Sequence, residues 1–257
     1  WKKQKARSDM RVYSATDVGQ KRKMNQDYVF VSKDPVGNLP NLFVVADGMG
    51  GHNAGDFASS HAVQILVDEI RKDADFNPVK VIRHAIETAN AEILTRAQEE
   101  EDLRGMGTTI VVATIVGHYA YVANVGDSRL YLIHDGAIRQ ITRDHSYVEE
   151  MVAMGMMQRG SADYNRKKNI ITRAAGIKPD IEPDFFEEEL EQGDYILLCS
   201  DGLSNMVDND TMCSIVLSEG TLKEKAVRLI AEANKRGGTD NIAVVLVKPQ
   251  EGGMGSC

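Results

Sequence analysis

Four aspartates stand at the tips of apolar, strand-like runs, and three of them are joined directly to glycine. Leu42-Phe43-Val44-Val45-Ala46-Asp47-Gly48 ends on one, Tyr121-Val122-Ala123-Asn124-Val125-Gly126-Asp127 on a second and Tyr195-Ile196-Leu197-Leu198-Cys199-Ser200-Asp201-Gly202 on a third. The fourth, Asp240, leads the run Asn241-Ile242-Ala243-Val244-Val245-Leu246-Val247. Strand ends are rigid and can hold ligand geometry better than loops. Carboxylates gathered without His or Cys donors suit hard divalent cations, Mg²⁺ or Mn²⁺, rather than zinc or copper. One strand-end Asp-Gly is ordinarily a turn. The repetition points instead to a multi-metal hydrolytic centre.

Composition narrows the alternatives. A chain of 257 residues with 42% hydrophobic content can bury a sizeable core. Its net charge of -8 argues against nucleic acid as the main partner, which demands clustered Lys and Arg. Cys199, Cys213 and Cys257 form no CxxC pair, so neither a disulfide framework nor a zinc site is expected, and a reducing compartment fits. The longest apolar stretch, Thr108 to Val116, is too short to span a bilayer, which takes about 20 residues. Trp1-Lys2-Lys3-Gln4-Lys5 has no apolar region behind it, so no secretory leader is expected.

The elements that must position the aspartates can be read from periodicity. Residues 1–9 read as a flexible basic arm and 249–257 as a flexible tail. Strands are expected near 11–16, 27–33 and 41–46, followed by two helices. The first helix repeats Ala58, Ala62, Ile65, Leu66 and Ile70, the second Ile82, Ala85, Ile86, Ala89, Ile93 and Ala97. Strands at 107–116, 118–125 and 128–134 are too closely spaced for helical crossovers and should pair antiparallel. His134-Asp135-Gly136-Ala137 turns into a strand at 137–141. A short helix near 146–154 and an irregular polar stretch to about 168 come next, then strands near 184–189 and 194–200. Helices at 208–217 and 222–236, the latter opened by a Thr221-x-x-Glu224 capping box, precede a last strand at 241–248. Antiparallel runs with paired helices give an α+β layered architecture.

Six motifs occur in one order: Arg22-x-x-Asn25-Gln26-Asp27, Asp47-Gly48-Met49-Gly50-Gly51-His52, Gly105-Met106-Gly107-Thr108-Thr109, Val125-Gly126-Asp127-Ser128-Arg129, Ser200-Asp201-Gly202-Leu203 and Gly237-Gly238-Thr239-Asp240-Asn241. Together they resemble the metal-dependent protein phosphatases, the type 2C serine/threonine phosphatases, and especially their compact bacterial branch, over about residues 10–248. The resemblance implies a four-layer α-β-β-α sandwich of two antiparallel sheets flanked by helix pairs, with a flap at about 146–168. It implies two Mn²⁺ or Mg²⁺ ions bridged by Asp47, one of them also ligated by the Gly48 carbonyl, the other held by Asp201 and Asp240. Asp27 would act through ion-bound water, Asp127 would help Asp201 hold a third ion, and Arg22 would grip the substrate phosphate. A guanidinium suits that task with two parallel donors, although Lys21-Arg22-Lys23 alone would read as a solvated basic turn. Implied partners are phosphoserine and phosphothreonine proteins and an opposing Ser/Thr kinase; a cytoplasmic monomer is expected.

Two positions depart from the pattern. Met49 stands where many eukaryotic members carry a histidine proposed as general acid, and Gln26 where many relatives have Glu. His52 is close by but is not assigned catalysis. In the flap, Met151 and Met154 are expected to pack in the core, with Met156 and Met157 open to either packing or an adaptable surface. Neither Cys199 nor Cys213 has an Arg six residues later, which argues against a cysteine-nucleophile phosphatase. A silent phosphoprotein-binding relative conflicts with the retained Asp47, Asp201, Asp240 and Arg22, and a two-metal nuclease with the acidic balance.

Overall fold

The computed structural model describes residues 10–51 and 54–249. The arm assigned to 1–9, His52 and the tail beyond residue 249 lie outside the described residues. Eleven strands follow in chain order: β1 (Arg11–Asp17), β2 (Asp27–Ser32), β3 (Leu42–Met49), β4 (Gly107–Thr108), β5 (Ile110–Val116), β6 (Tyr119–Val125), β7 (Arg129–His134), β8 (Ala137–Gln140), β9 (Asp184–Glu189), β10 (Tyr195–Cys199) and β11 (Ile242–Lys248). One sheet runs β1-β11-β10-β7-β8 and the other β2-β3-β5-β6-β9, with β4 paired to the end of β3. Every pairing is antiparallel.

Side chains on a strand alternate between faces, and here both faces are apolar because each meets a packed layer. Phe43 and Val45 of β3 point between the sheets, against Leu130 and Leu132 of β7 and Val245 and Val247 of β11. Leu42, Val44 and Ala46 point outward, beneath α1 (Ala54–Lys72) and α2 (Pro78–Glu99). On the far side Leu197, Val244 and Leu246 meet α6 (Asn209–Leu217) and α7 (Leu222–Lys235). The four layers are therefore α-β-β-α, as the resemblance implies. Asn77 caps α2 ahead of Pro78, and the Thr221/Glu224 capping box opens α7 as expected.

Three expectations need correction. The strand at 128–134 does not pair with the strand before it: β7 belongs to the opposite sheet, between β10 and β8. Both edges of β6 are already taken, by β5 and β9, and Gly126 at φ +105° lifts the chain across. The polar stretch before residue 168 is not wholly irregular. It contains α4 (Ala162–Lys167), which follows α3 (Tyr147–Ala153). Ser161 caps α4 by accepting from the Tyr164 N–H, with Asp163 in its first turn and Arg166 and Lys167 in its last. Six residues are too few to show a helical period. Finally, Met154 is 62% exposed rather than in the core, and Met156 is 73% exposed.

Phe43 is fully buried between the sheets. Phe43→Ala should lower unfolding free energy by about 3–5 kcal/mol, read by urea denaturation. A loss below about 1 kcal/mol would mean that the sheets do not meet through this residue.

Candidate metal centre

Asp27, Asp47, Asp127, Asp201 and Asp240 converge at one end of the sandwich. The β2–β3 register sets Asp27 directly opposite Asp47. Asp127 lies in the crossing from β6 to β7, Asp201 opens α5 (Asp201–Ser204) behind β10, and Asp240 immediately precedes Asn241 at the start of β11. Their mutual proximity shows in their acidities. Burial holds Asp47 well above the ordinary carboxylate range, and the charges of Asp27, Asp201, Asp127 and Asp240 push the same way. Burial raises Asp27 to about 7, against a lowering bond from Ser200 and with further raising by Asp201 and Asp240. Asp127 rises to about 8 through burial, then Asp201 and Asp144. Asp201 rises to about 6 through burial and Asp240, while Arg129, Lys168 and Arg22 oppose the shift.

The backbone around these groups is tied tightly. The Asp47 N–H donates to Thr109 Oγ1 at 2.9 Å, and the Asp47 carbonyl accepts from the Thr109 N–H and from Thr108 Oγ1. Thr109 Oγ1 also lies 2.7 Å from Ser128 Oγ, which links this strand to the Asp127 crossing. Gly48 must be glycine because a Cβ there would sit 1.9 Å from the Gly55 carbonyl oxygen. On the other side, Gly126 donates its N–H to His145 Nδ1 at 3.1 Å and accepts from the His145 N–H at 2.9 Å. Asn241 fixes the loop before β2: its Nδ2 donates to the Val18 and Met24 carbonyls, and its Oδ1 accepts from the Gln26 N–H.

That loop carries Arg22, whose Nη2 donates to Asp240 Oδ2 at 2.8 Å. Arg22 is thus beside the carboxylates but engaged with one of them. Met49 pairs with Gly107 in the β3–β4 ladder. Sequence reasoning assigned no role to Ser200, Asn205, Asn241, Thr108, Thr109 or His145. Ser200, Asn241 and the threonines lie inside the motifs already quoted, so adjacency to glycine and aspartate was their only signal; Asn205 and His145 had none.

The donors suit a hard divalent ion. Asp27 Oδ1, Asp127 Oδ1 and Asp201 Oδ1 are all buried with no hydrogen-bond partner, whereas buried polar atoms are ordinarily paired. Ser200 Oγ donates to Asp27 Oδ2 at 2.6 Å and Asn205 Nδ2 to Asp201 Oδ2 at 2.8 Å, so in each case one oxygen is held and the other presented. As placed, no three Asp, Glu, His or Cys side chains among the described residues stand close enough to enclose an ion. A cavity of about 180 Å³ opens beside Asp127 and Asp201, lined also by Lys168, Ser204, Asn205 and Tyr164.

Comparison with known proteins places this geometry. The family model for protein phosphatase 2C matches residues 18–235. The serine/threonine phosphatase stp of Listeria monocytogenes is 44% identical over 239 residues, covering 91% of this chain and 93% of that protein. The structure of the Streptococcus agalactiae serine/threonine phosphatase superposes with a TM-score of 0.86 at 40% identity, over 94% of this chain and all (100%) of that one. The catalytic domain of the serine/threonine protein phosphatase PstP, solved with two manganese ions, gives 0.82 at 32% identity, over 94% and 99% of the two chains.

The raised carboxylates give the ion-free protein a definite pH response. With folded values of about 6 to 8 for Asp201, Asp27 and Asp127, the folded state binds more protons than the unfolded state between about pH 4 and those values. Raising the pH from about 5 to 8 therefore favours unfolding through these groups. In EDTA, Asp127→Asn should lose less thermal stability than wild type across that interval; melting curves with equal pH slopes for the two proteins would contradict this electrostatic picture.

Proposed function

The chain belongs to the protein phosphatase 2C family, and we propose that it hydrolyses phosphoserine and phosphothreonine in proteins, releasing inorganic phosphate. The observation that carries the reading is the set of buried carboxylate oxygens on Asp27, Asp127 and Asp201 that lack a hydrogen-bond partner at the strand ends. Asp47, the Gly48 carbonyl, Asp201 and Asp240 are the residues to hold two Mn²⁺ or Mg²⁺ ions, with Asp127 and Asp201 holding a third. The PstP structure with two manganese ions supports the choice of metal. When bound, such ions acidify an attacking water and screen the charge of the phosphate.

The protein's own groups divide the remaining work. Asp47 is fixed through its backbone at Thr108 and Thr109, which would keep its carboxylate in place as an ion ligand. Asp27, anchored by Ser200, orients water through its other oxygen. Arg22 is half exposed and tied at present to a proposed ligand, Asp240. With Asp240 engaged by cations, the guanidinium can turn its parallel donors to phosphate oxygens. Met49 has no titratable proton, so water or another group must supply the proton that the leaving alkoxide takes.

Among the described residues no helix is long and apolar enough to cross a membrane. Cys199 and Cys213 are unpaired thiols. We propose further that the enzyme works in the cytoplasm as a monomer, against a Ser/Thr kinase that phosphorylates the same proteins.

Phosphate release from a phosphothreonine peptide should require added Mn²⁺ or Mg²⁺ and cease in EDTA, while a phosphodiester is not cleaved. Turnover surviving exhaustive chelation would sink the reading. Asp47→Ala should abolish turnover, and Arg22→Ala should chiefly weaken phosphate binding, with a loss of roughly 10²–10³-fold in kcat/KM. Asp127→Ala should fold normally and keep two ions by metal titration while losing most peptide activity. A variant with lower thermal stability and unchanged specific activity would instead make Asp127 a structural residue.

A further inference from the structure

A groove of about 950 Å³ lies on the other side of the wall formed by Arg129, Asp144 and Tyr164, which it shares with the small cavity at Asp127 and Asp201. We propose that this groove docks an acidic segment of the phosphoprotein substrate, adjacent in sequence to the residue being dephosphorylated. The proposal rests on the phosphatase reading above and adds to it a substrate preference.

Charge is the first argument. Each carboxylate lining the groove already has a cationic partner. Asp144 accepts two bonds from Arg129 Nε and one from Nη2, Glu149 is paired with Arg159, and Asp184 with Arg173 and His145. Two arginines remain. The Arg143 side chain makes no hydrogen bond or ion pair among the described residues, and the Arg83 guanidinium only covers the face of Phe185, 4.6 Å from the ring centroid. Both are exposed. In a chain of net charge -8, this is a local excess of positive charge beside the reactive end. Such an excess steers an acidic chain inward and gives its carboxylates bidentate partners.

Shape is the second argument. Ile141, Pro183, Phe185 and Phe186 also line the groove, and the half-buried Phe185 and Phe186 offer apolar contact to the side chains that alternate with acidic residues in an extended peptide. No glycine lines the groove, so it lacks the close backbone approach that cradles a nucleotide's phosphates. The shared wall sets direction: a peptide with its phosphoresidue at the carboxylates needs only to pass Tyr164 to lay its neighbours in the groove.

The test pairs kinetics with direct binding. Two phosphothreonine peptides differ only in a flank of Asp and Glu or of Asn and Gln. Wild type should show a KM about tenfold lower for the acidic flank at equal kcat. The double variant R83Q/R143Q should lose that advantage while keeping its rate on the neutral peptide and on p-nitrophenyl phosphate. R11Q/K223Q, which removes two exposed cations on β1 and α7, should keep it. Fluorescence anisotropy of an unphosphorylated Glu-rich peptide, measured in EDTA, reads the groove without catalysis: binding should weaken with salt and fall in R83Q/R143Q only. Failure of every peptide and of p-nitrophenyl phosphate to turn over with Mn²⁺ would refute the phosphatase reading, and the anisotropy would still decide the groove. Equal anisotropy for R83Q/R143Q and wild type, tighter binding of a single-stranded oligonucleotide than of the Glu-rich peptide, or no acidic preference in wild type would overturn the proposal.

Discussion

The burial of like charges is the constraint on which the rest of this structure depends. Asp27 and Asp127 are buried, Asp47 and Asp201 are half-buried beside them, and each becomes a weaker acid as a result. Taking a carboxylate from water costs several kcal/mol, and neighbours of the same sign add to it. Local cations offset this cost only in part: Arg129 opposes the shifts of Asp127 and Asp201, and among the described residues the cation hydrogen-bonded to the cluster, Arg22, reaches Asp240. The offset comes from elsewhere: three apolar layers, two beneath helix pairs and one between the sheets, that fix the strand ends whether or not those ends repel. Stored strain of this kind persists only where surrounding structure over-determines the position.

The hydrogen bonds show how the constraint is turned to use. Ser200 holds Asp27 by Oδ2, and Asn205 holds Asp201 by Oδ2; in both residues Oδ1 is left without a partner. Asp127 is placed instead through its backbone, since Gly126 is clamped in both directions by His145 and Thr109 meets Ser128. Asp240 differs. Its Oδ1 accepts from the Asn241 N–H and its Oδ2 from Arg22, so both oxygens are occupied. Arg22 and Asp240 therefore control one another: whatever draws Asp240 away releases a guanidinium at the mouth of the site.

How much of this was legible in the sequence follows from the range of the forces involved. The strand tips, both long helices and the Thr221/Glu224 box are set by local periodicity and capping, and each lies where pattern placed it. The placement of β7 is non-local. Its apolar residues satisfy either sheet equally well, and the choice depends on β9, some 55 residues later, occupying the free edge of β6. The helix at Ala162–Lys167 depends on a single cap and end charges rather than on a buried stripe. Met154 carries a core-type side chain but sits at the C-cap of α3, where the chain leaves the packed layer. Within the site, the aspartates were readable as types at strand ends. The Arg22–Asp240 bond spans 218 residues and needed the folded chain to be seen.

The Arg129–Asp144 pair divides the reactive end into two compartments. Three donor–acceptor contacts between 2.6 and 3.0 Å join β7 to the segment that leads into the flap, and Tyr131 and Gln140 brace the pair from either side. Arg129 is mostly buried and its charge opposes the rise in the pKa of both Asp127 and Asp201. It thus tempers the carboxylate cluster on one side while walling off the arginine-rich groove on the other. The flap base is bound to the same unit, since Tyr147 donates to the Ile170 carbonyl and Thr172 to that of His145. Met154 and Met156, between those two attachments, are exposed to solvent, while Asp47 and the Asp127 crossing stay hydrogen-bonded to the sheet through Thr109 and Ser128.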